Sequence, residues 1–393
     1  MIDLEASSIA QDPYPAYRAL RAAGDVFYDR SRNICYVGDY QAAADVLRNN
    51  DISTSQGVGL EPTVSGGDGA PHNRVRSYLS PAFGAPRVTG IEERISSLAS
   101  GLAERLRGRK RCDIVADYAM AIPETITAWM LGLDESRLPD IRRWNNAMLS
   151  VNRGGCPFSK LKRAIGRIAG RKPDPRNPGI AACRTVLESH LQQAGRKASG
   201  GWVTDLVAEK WKEGELSESE TVDIGMLMVF AASQTPSSLI GSAVLILARD
   251  HGLQQRLRND PQLLKPFIEE VLRFEAPVQR KCRRTTVPTE IAGVSIPEGT
   301  IVQCLIGSAN RDPKMFSEPE QFRADRQKNR HLSFGLGPHF CLGAQLGRAQ
   351  VFLALQALLQ SIPSITLADA SERTCYADNN LVRSLLRLSV SLG

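Results

Sequence analysis

The chain has 393 residues, a formal charge of +7, and 42% hydrophobic against 23% charged residues. Those fractions suit an ordinary globular protein; no run approaches the ~18 apolar residues of a membrane span, and Met1–Glu5 lacks the basic start and apolar run of a signal peptide. The basic balance suits nucleic acid, an acidic membrane or an acidic protein partner, but no nucleic-acid-binding signature accompanies it.

Cysteines at 35, 112, 156, 183, 282, 304, 341 and 375 are scattered, without a C-x-x-C pair. That argues against a zinc site or a disulfide framework and fits a reducing compartment. A cytoplasmic protein is expected, acting on neither nucleic acid nor membrane.

In chain order, Asp12-Pro13-Tyr14-Pro15 opens a helix through Leu20. Val26–Tyr28 and Ile34–Val37 read as a hairpin, and Tyr40 to Leu47 as a helix. Residues 53–69 are rich in glycine, serine and threonine, an aperiodic loop of a length that is usually functional or disordered. Pro71-His72-Asn73-Arg74-Val75-Arg76 opens the next helix, with His72 and Arg76 on one face. Helical patterns fill most of 90–250. Lys160, Arg163, Arg167 and Arg171 form a basic stripe, either a solvated face or a landing place for an acidic partner or anionic substrate. Pro173, Pro175, Pro178 and Gly179 end that helix, and another follows over about 180–196.

Ser217-Glu218-Ser219-Glu220 is a capping box. It opens the longest helix, apolar to about Ala248 and so about 45 Å long. Pro236 within it has no N–H for the Ala232 carbonyl, which predicts a kink there. Glu270 and Arg273 are three apart on a further helix, a spacing that alone means little. Short strand patterns follow at Ile291–Ile296 and Ile301–Ile306. With no repeat or linker visible, residues 1–393 read as one domain.

The densest chemistry lies in Phe334-Gly335-Leu336-Gly337-Pro338-His339-Phe340-Cys341-Leu342-Gly343. Leu342, Leu346, Ala349 and Leu353 then recur at helical steps. A thiol at a helix start sees the positive end of the dipole, which favours thiolate. Free backbone N–H groups there can bond the sulfur. The glycines let a flat, bulky ligand lie against the main chain. A lone thiolate suits haem iron, where it favours O–O cleavage. An inert buried cysteine among turn glycines is the plainer alternative. Against it, Phe334, Gly337, Cys341 and Gly343 keep a fixed F-x-x-G-x-x-x-C-x-G spacing.

This stretch resembles the haem-binding signature of the cytochrome P450 family, and the resemblance covers nearly the whole chain. It implies a mainly α fold with small β-sheets, a triangular helical prism. Haem b (iron-protoporphyrin IX) would lie between the long central helix and the helix after Cys341. It implies Cys341 as iron ligand, with Phe334, Gly335, Gly343 and Ala231 against the cofactor. His72 and Arg76 resemble an H-x-x-x-R pair for the propionates, joined by Arg283 (Arg284 as fallback) and His339. Glu270, Arg273 and Arg326 resemble a structural ion network. The lid would comprise the two helices around the proline-rich loop.

Ala231-Ala232-Ser233-Gln234-Thr235 resembles the family's A-G-x-(acid)-T motif, with Ala232 for the glycine and Gln234 for the acid. An amide offers hydrogen bonds but no titratable proton near neutral pH. Thr235 and Gln234 are the catalytic candidates, with Thr235 carrying more of the proton delivery. Val278, Gln279 and Leu381, with the loop 53–69, are the expected pocket lining.

The resemblance implies a monooxygenase that hydroxylates or epoxidises a small or medium natural product, using O2 and two electrons. No G-x-G-x-x-G follows a strand, so the electrons come from a separate ferredoxin and ferredoxin reductase. A carrier protein is a further candidate partner. The competing readings are an oxidase that couples or cyclises its substrate in secondary-metabolite biosynthesis, and a catalytically silent haem sensor, against which Thr235 argues.

Overall fold

The capping box forms: the Ser217 hydroxyl accepts from Glu220 N at 3.2 Å while Ser217 N donates to the Glu220 carboxylate at 2.8 Å. From it runs the central helix, Glu218–Arg249. Its apolar character is not confined to one stripe, so it is buried along most of its length. Length and mean hydropathy (1.3) would let it cross a membrane, but 72% of that window is buried in the protein.

The helical span continues through Pro236. Around it Thr235, Ser237 and Ser238 donate to the Ala231, Ser233 and Gln234 carbonyls at 2.9, 2.8 and 2.9 Å. None of these bonds reaches the Ala232 carbonyl that Pro236 leaves without an N–H, and back-bonding of this kind tends to bend a helix.

The computed structural model describes residues 3–4, 6–51, 53–54, 67–150, 177–369, 371 and 374–393. The basic stripe Lys160–Arg171 and most of the loop 53–69 lie outside the described residues.

Helix Ala344–Ser361 packs on helix Ala85–Leu106 and on the central helix. Tyr118 joins this core, its hydroxyl donating to Ala354 O at 2.7 Å. To one side lies a sheet ordered Val26–Asp29, Ile34–Val37, Ile301–Leu305, Arg280–Thr285, Ser53–Thr54. The first hairpin has the register Val26↔Val37, and Ile34–Val37 runs parallel to Ile301–Leu305. A three-stranded sheet joins Arg111–Asp113, Ser389–Leu392 and Ile365–Leu367. The segment 291–296, read as one strand, is a turn between two. Ala292 (φ 47°) and Gly293 (φ 80°) reverse the chain between Thr289–Ile291 and Val294–Ile296.

Glu270, wholly buried, receives Arg273 Nε and Nη2 at 2.8 Å, Arg326 Nε at 3.0–3.1 Å, Asn329 at 2.9 Å and the Arg323 N–H at 2.9 Å. A buried carboxylate is tolerable only when so fully satisfied. This network anchors helix Leu264–Phe274 to the chain that leads into Phe334.

Candidate functional site

The loop carrying Cys341 is shaped by its glycines. Gly335 and Gly337 have φ of 72° and 70°, a conformation that side chains resist. A Cβ on Gly337 would stand 2.9 Å from Arg48 Cα and Leu47 O, so the loop presses against helix Tyr40–Arg48. Cys341 N donates to Phe334 O at 2.8 Å, and the Gly343 N–H reaches the Cys341 sulfur. The Phe334 ring stands 4.2 Å from the Arg348 guanidinium and 6.3 Å from the Phe340 ring.

Cys341 has accessible surface yet sits deep within the protein. Burial raises its thiol pKa. Lys281, the Gly343 N–H, Arg76 and Arg348 oppose that rise without cancelling it. The helix start alone therefore does not produce the expected thiolate. A bound metal cation, which deprotonates a coordinating thiol, would.

The cations expected around a propionate-bearing edge are drawn together. The His72 and His339 rings are 4.3 Å apart. His72 is buried; Nδ1 meets Asn73 Oδ1 at 3.1 Å, while Nε2 has no partner. Burial lowers its pKa, so it is neutral at pH 7. His339 Nε2 is held by Asp68 at 2.7 Å, and Arg76 donates to Phe340 O at 2.8 Å. Arg283 is buried on strand Arg280–Thr285 and donates to Cys282 O at 3.0 Å, its Nε unpartnered. Among the described residues no carboxylate forms an ion pair with it. Arg284 points to the other face and donates to Gly299 O at 2.9 Å.

On the central helix Ala231 is exposed and Thr235 half-buried, in a stretch otherwise packed in the core. Phe230 beside them packs with Val278, Leu381, Leu149, Cys282 and Val382. Gln234 is turned inward, its amide donating to the Ser384 hydroxyl at 2.7 Å. Gln279 does not share the face expected of it. It is buried, donates to Ala276 O at 2.8 Å, and its Oε1 fills the place a Cβ on Gly307 would take. Asp68 and Ser384 had no signal in spacing, because their partners lie 271 and 150 residues away.

An accessible thiol with a backbone N–H on its sulfur and unneutralised buried cations nearby fits a flat metal cofactor carrying carboxylates. The family model for cytochrome P450 matches residues 26–383. The chain is a cytochrome P450.

It is 31% identical over 335 residues to cytochrome P450 107B1 of Saccharopolyspora erythraea, covering 85% of this chain and 78% of that one. The crystal structure of CYP109E1 from Bacillus megaterium, in complex with testosterone, superposes with a TM-score of 0.88 at 23% identity, covering 98% and 99% of the two chains. P450BioI, solved in complex with an acyl carrier protein ligated to hexadec-9Z-enoic acid, does so with a TM-score of 0.86 at 24% identity, covering 98% and 99%. The fold is thus the P450 fold, and membership brings haem-iron oxidoreductase chemistry of the monooxygenase type. Arg283 and His72, each with an unpartnered buried nitrogen, and the bare face at Ala231 fit that group.

Proposed function

We propose that this P450, as one domain, holds haem b through Cys341 and hydroxylates or epoxidises a small or medium natural product. The observation that carries this is the accessible Cys341 thiol, bonded by the Gly343 N–H and faced by Arg76, Lys281 and Arg348. Haem iron bound there supplies O2 activation with two electrons from outside.

The chain's own residues do the rest. Arg283 and Arg76 take the propionates as charge-assisted donors, with His72 and His339 as ring donors. Phe334, Gly335 and Gly343 bound the sulfur side and Ala231 the opposite one. Val278, Leu381 and Phe230 exclude water from the substrate. Thr235 holds the proton-bearing hydroxyl, now donated to Ala231 O at 2.9 Å and free to rotate toward a ligand. Gln234 positions: its bond to Ser384 pins the C-terminal segment that carries Leu381.

Electrons come from a ferredoxin and its reductase, steered to a positive face, in the cytoplasm. The carrier-bound substrate of P450BioI supports a carrier protein as an alternative means of presentation.

An amide at position 234 also supports a second reading. Slow proton delivery there favours hydrogen abstraction and coupling or cyclisation over oxygen insertion. Product mass separates the two: oxygen gained, or only hydrogens lost. The test of the proton path is Thr235→Ala with Gln234→Glu, scored by product per electron and peroxide released. The account expects more peroxide in Thr235→Ala. If both variants match wild type, this stretch has no part in proton delivery.

A further inference from the structure

The three-stranded sheet carries a second concave site, which shares no residue with the set around Cys341. A cavity of about 420 Å³ is lined by Arg111, Cys112, Ala368, Asp369, Arg387 and Ser389. The strand register accounts for the lining. Cys112 pairs with Val390, and both face the core. Arg111, opposite Ser391, and Ser389, opposite Asp113, therefore point outward. The ladder continues as Ile114 N donates to Leu388 O at 3.0 Å, and with Leu388 buried Arg387 is exposed on the same outer face. Ala368 N donates to Ser389 O at 3.1 Å, which brings the end of the neighbouring strand, and with it Asp369, to the rim.

The cations here are not neutralised by direct pairing. Among the described residues neither Arg111 nor Arg387 forms an ion pair. The adjacent carboxylates accept from other groups. Asp113 Oδ1 takes Val115 N at 3.1 Å and Leu388 N at 3.0 Å, and Asp369 Oδ1 takes the Ser371 N–H and hydroxyl at 2.8 and 2.6 Å. The Ser389 hydroxyl is shielded from solvent and has no hydrogen-bond partner. The preceding run Arg105-Leu106-Arg107-Gly108-Arg109-Lys110 adds positive potential. Of its cations Arg107 pairs with Glu104 and Arg109 with Asp117, while Arg105 and Lys110 pair with no carboxylate among the described residues.

Two guanidinium forks and a hydroxyl on one face suit a dianion held by charge-assisted hydrogen bonds. The volume is that of a small-ligand site, and a phosphate alone would leave most of it empty. The Asp369 carboxylate on the rim tells against a body that is anionic throughout and suits one bearing hydroxyls. We propose that this cavity binds a phosphate monoester of a small sugar or polyol. Arg111, Arg387 and the Ser389 hydroxyl donate to the phosphate, and the body lies toward Ala368 and Asp369. The site is a binding site only, and it stands apart from the haem reading.

The test is calorimetric titration of the haem-loaded protein at low ionic strength with ribose 5-phosphate, ribose and inorganic phosphate. Loading occupies the cations of the cofactor edge, so they do not compete for the ligand. Wild type should bind the ester saturably and at least about tenfold tighter than either fragment. Arg111→Ser and Arg387→Ser should each weaken it about three- to tenfold and flatten its salt dependence. The lysine variants at the same positions keep the charge, lose the fork and should fall between. Absence of saturable binding, or an affinity unchanged in both serine variants, overturns the proposal. Inorganic phosphate binding as tightly as the ester also overturns it, because the cavity is then a patch of surface charge. So does a single-stranded oligonucleotide that displaces the ester and binds more tightly, which would assign the basic face to nucleic acid.

Discussion

At the scale of single residues, the site is a set of buried polar atoms that the protein alone leaves unsatisfied. Arg283 is the sharpest case, a guanidinium in the core with an unpartnered Nε and no carboxylate ion pair among the described residues. Leaving such a group unpaired is destabilising, so the anion it awaits should be bound firmly. Arg283→Leu should therefore fold but release haem about ten- to a hundredfold faster, read by transfer to apomyoglobin. An unchanged release rate would remove Arg283 from the propionate set. His72→Ala should accelerate release less, because the ring is neutral at pH 7. Cys341 was the most legible residue because its spacing to Phe334, Gly337 and Gly343 is local. The orientation of Gln279 was not legible, since it depends on Gly307, a residue of the short helix Ile306–Ala309.

At the scale of elements, helix Leu264–Phe274 is tied to the helix after Cys341 through one carboxylate. Glu269 receives Arg348 at 2.7 and 2.8 Å and His331 at 3.2 Å. Burial alone would raise its pKa, but those two partners pull it down to about 2. A depressed carboxylate contributes stability above its ordinary pKa of 4.5 and loses it as pH falls toward about 2. Thermal midpoints of wild type should thus fall steeply over that window, and Glu269→Gln should flatten the fall while lowering the midpoint at pH 7. A Glu269→Gln curve parallel to wild type down to pH 2 would show that the pair contributes nothing. The capping box at Ser217 was readable because helix starts are written in adjacent residues. Strand Arg280–Thr285 was not, since RKCRRT has no apolar alternation and its pairing comes from Ile301–Leu305.

For the whole molecule, the Glu270 network joins the core to the chain that delivers Phe334 and Cys341. Glu270→Gln would leave Arg273 and Arg326 buried without their counter-ion, at about 3–5 kcal/mol. That variant should be recovered with little or no haem and a much lower thermal midpoint; full haem content at the wild-type midpoint would contradict a structural role. Everything else rests on one proposed bond, Cys341 to the haem iron. The direct measurement is the absorption spectrum of the freshly purified, reduced, CO-bound protein. The account predicts the red-shifted Soret band of thiolate-ligated haem, lost in Cys341→His. A folded wild type showing only the band of histidine-ligated haem would contradict it.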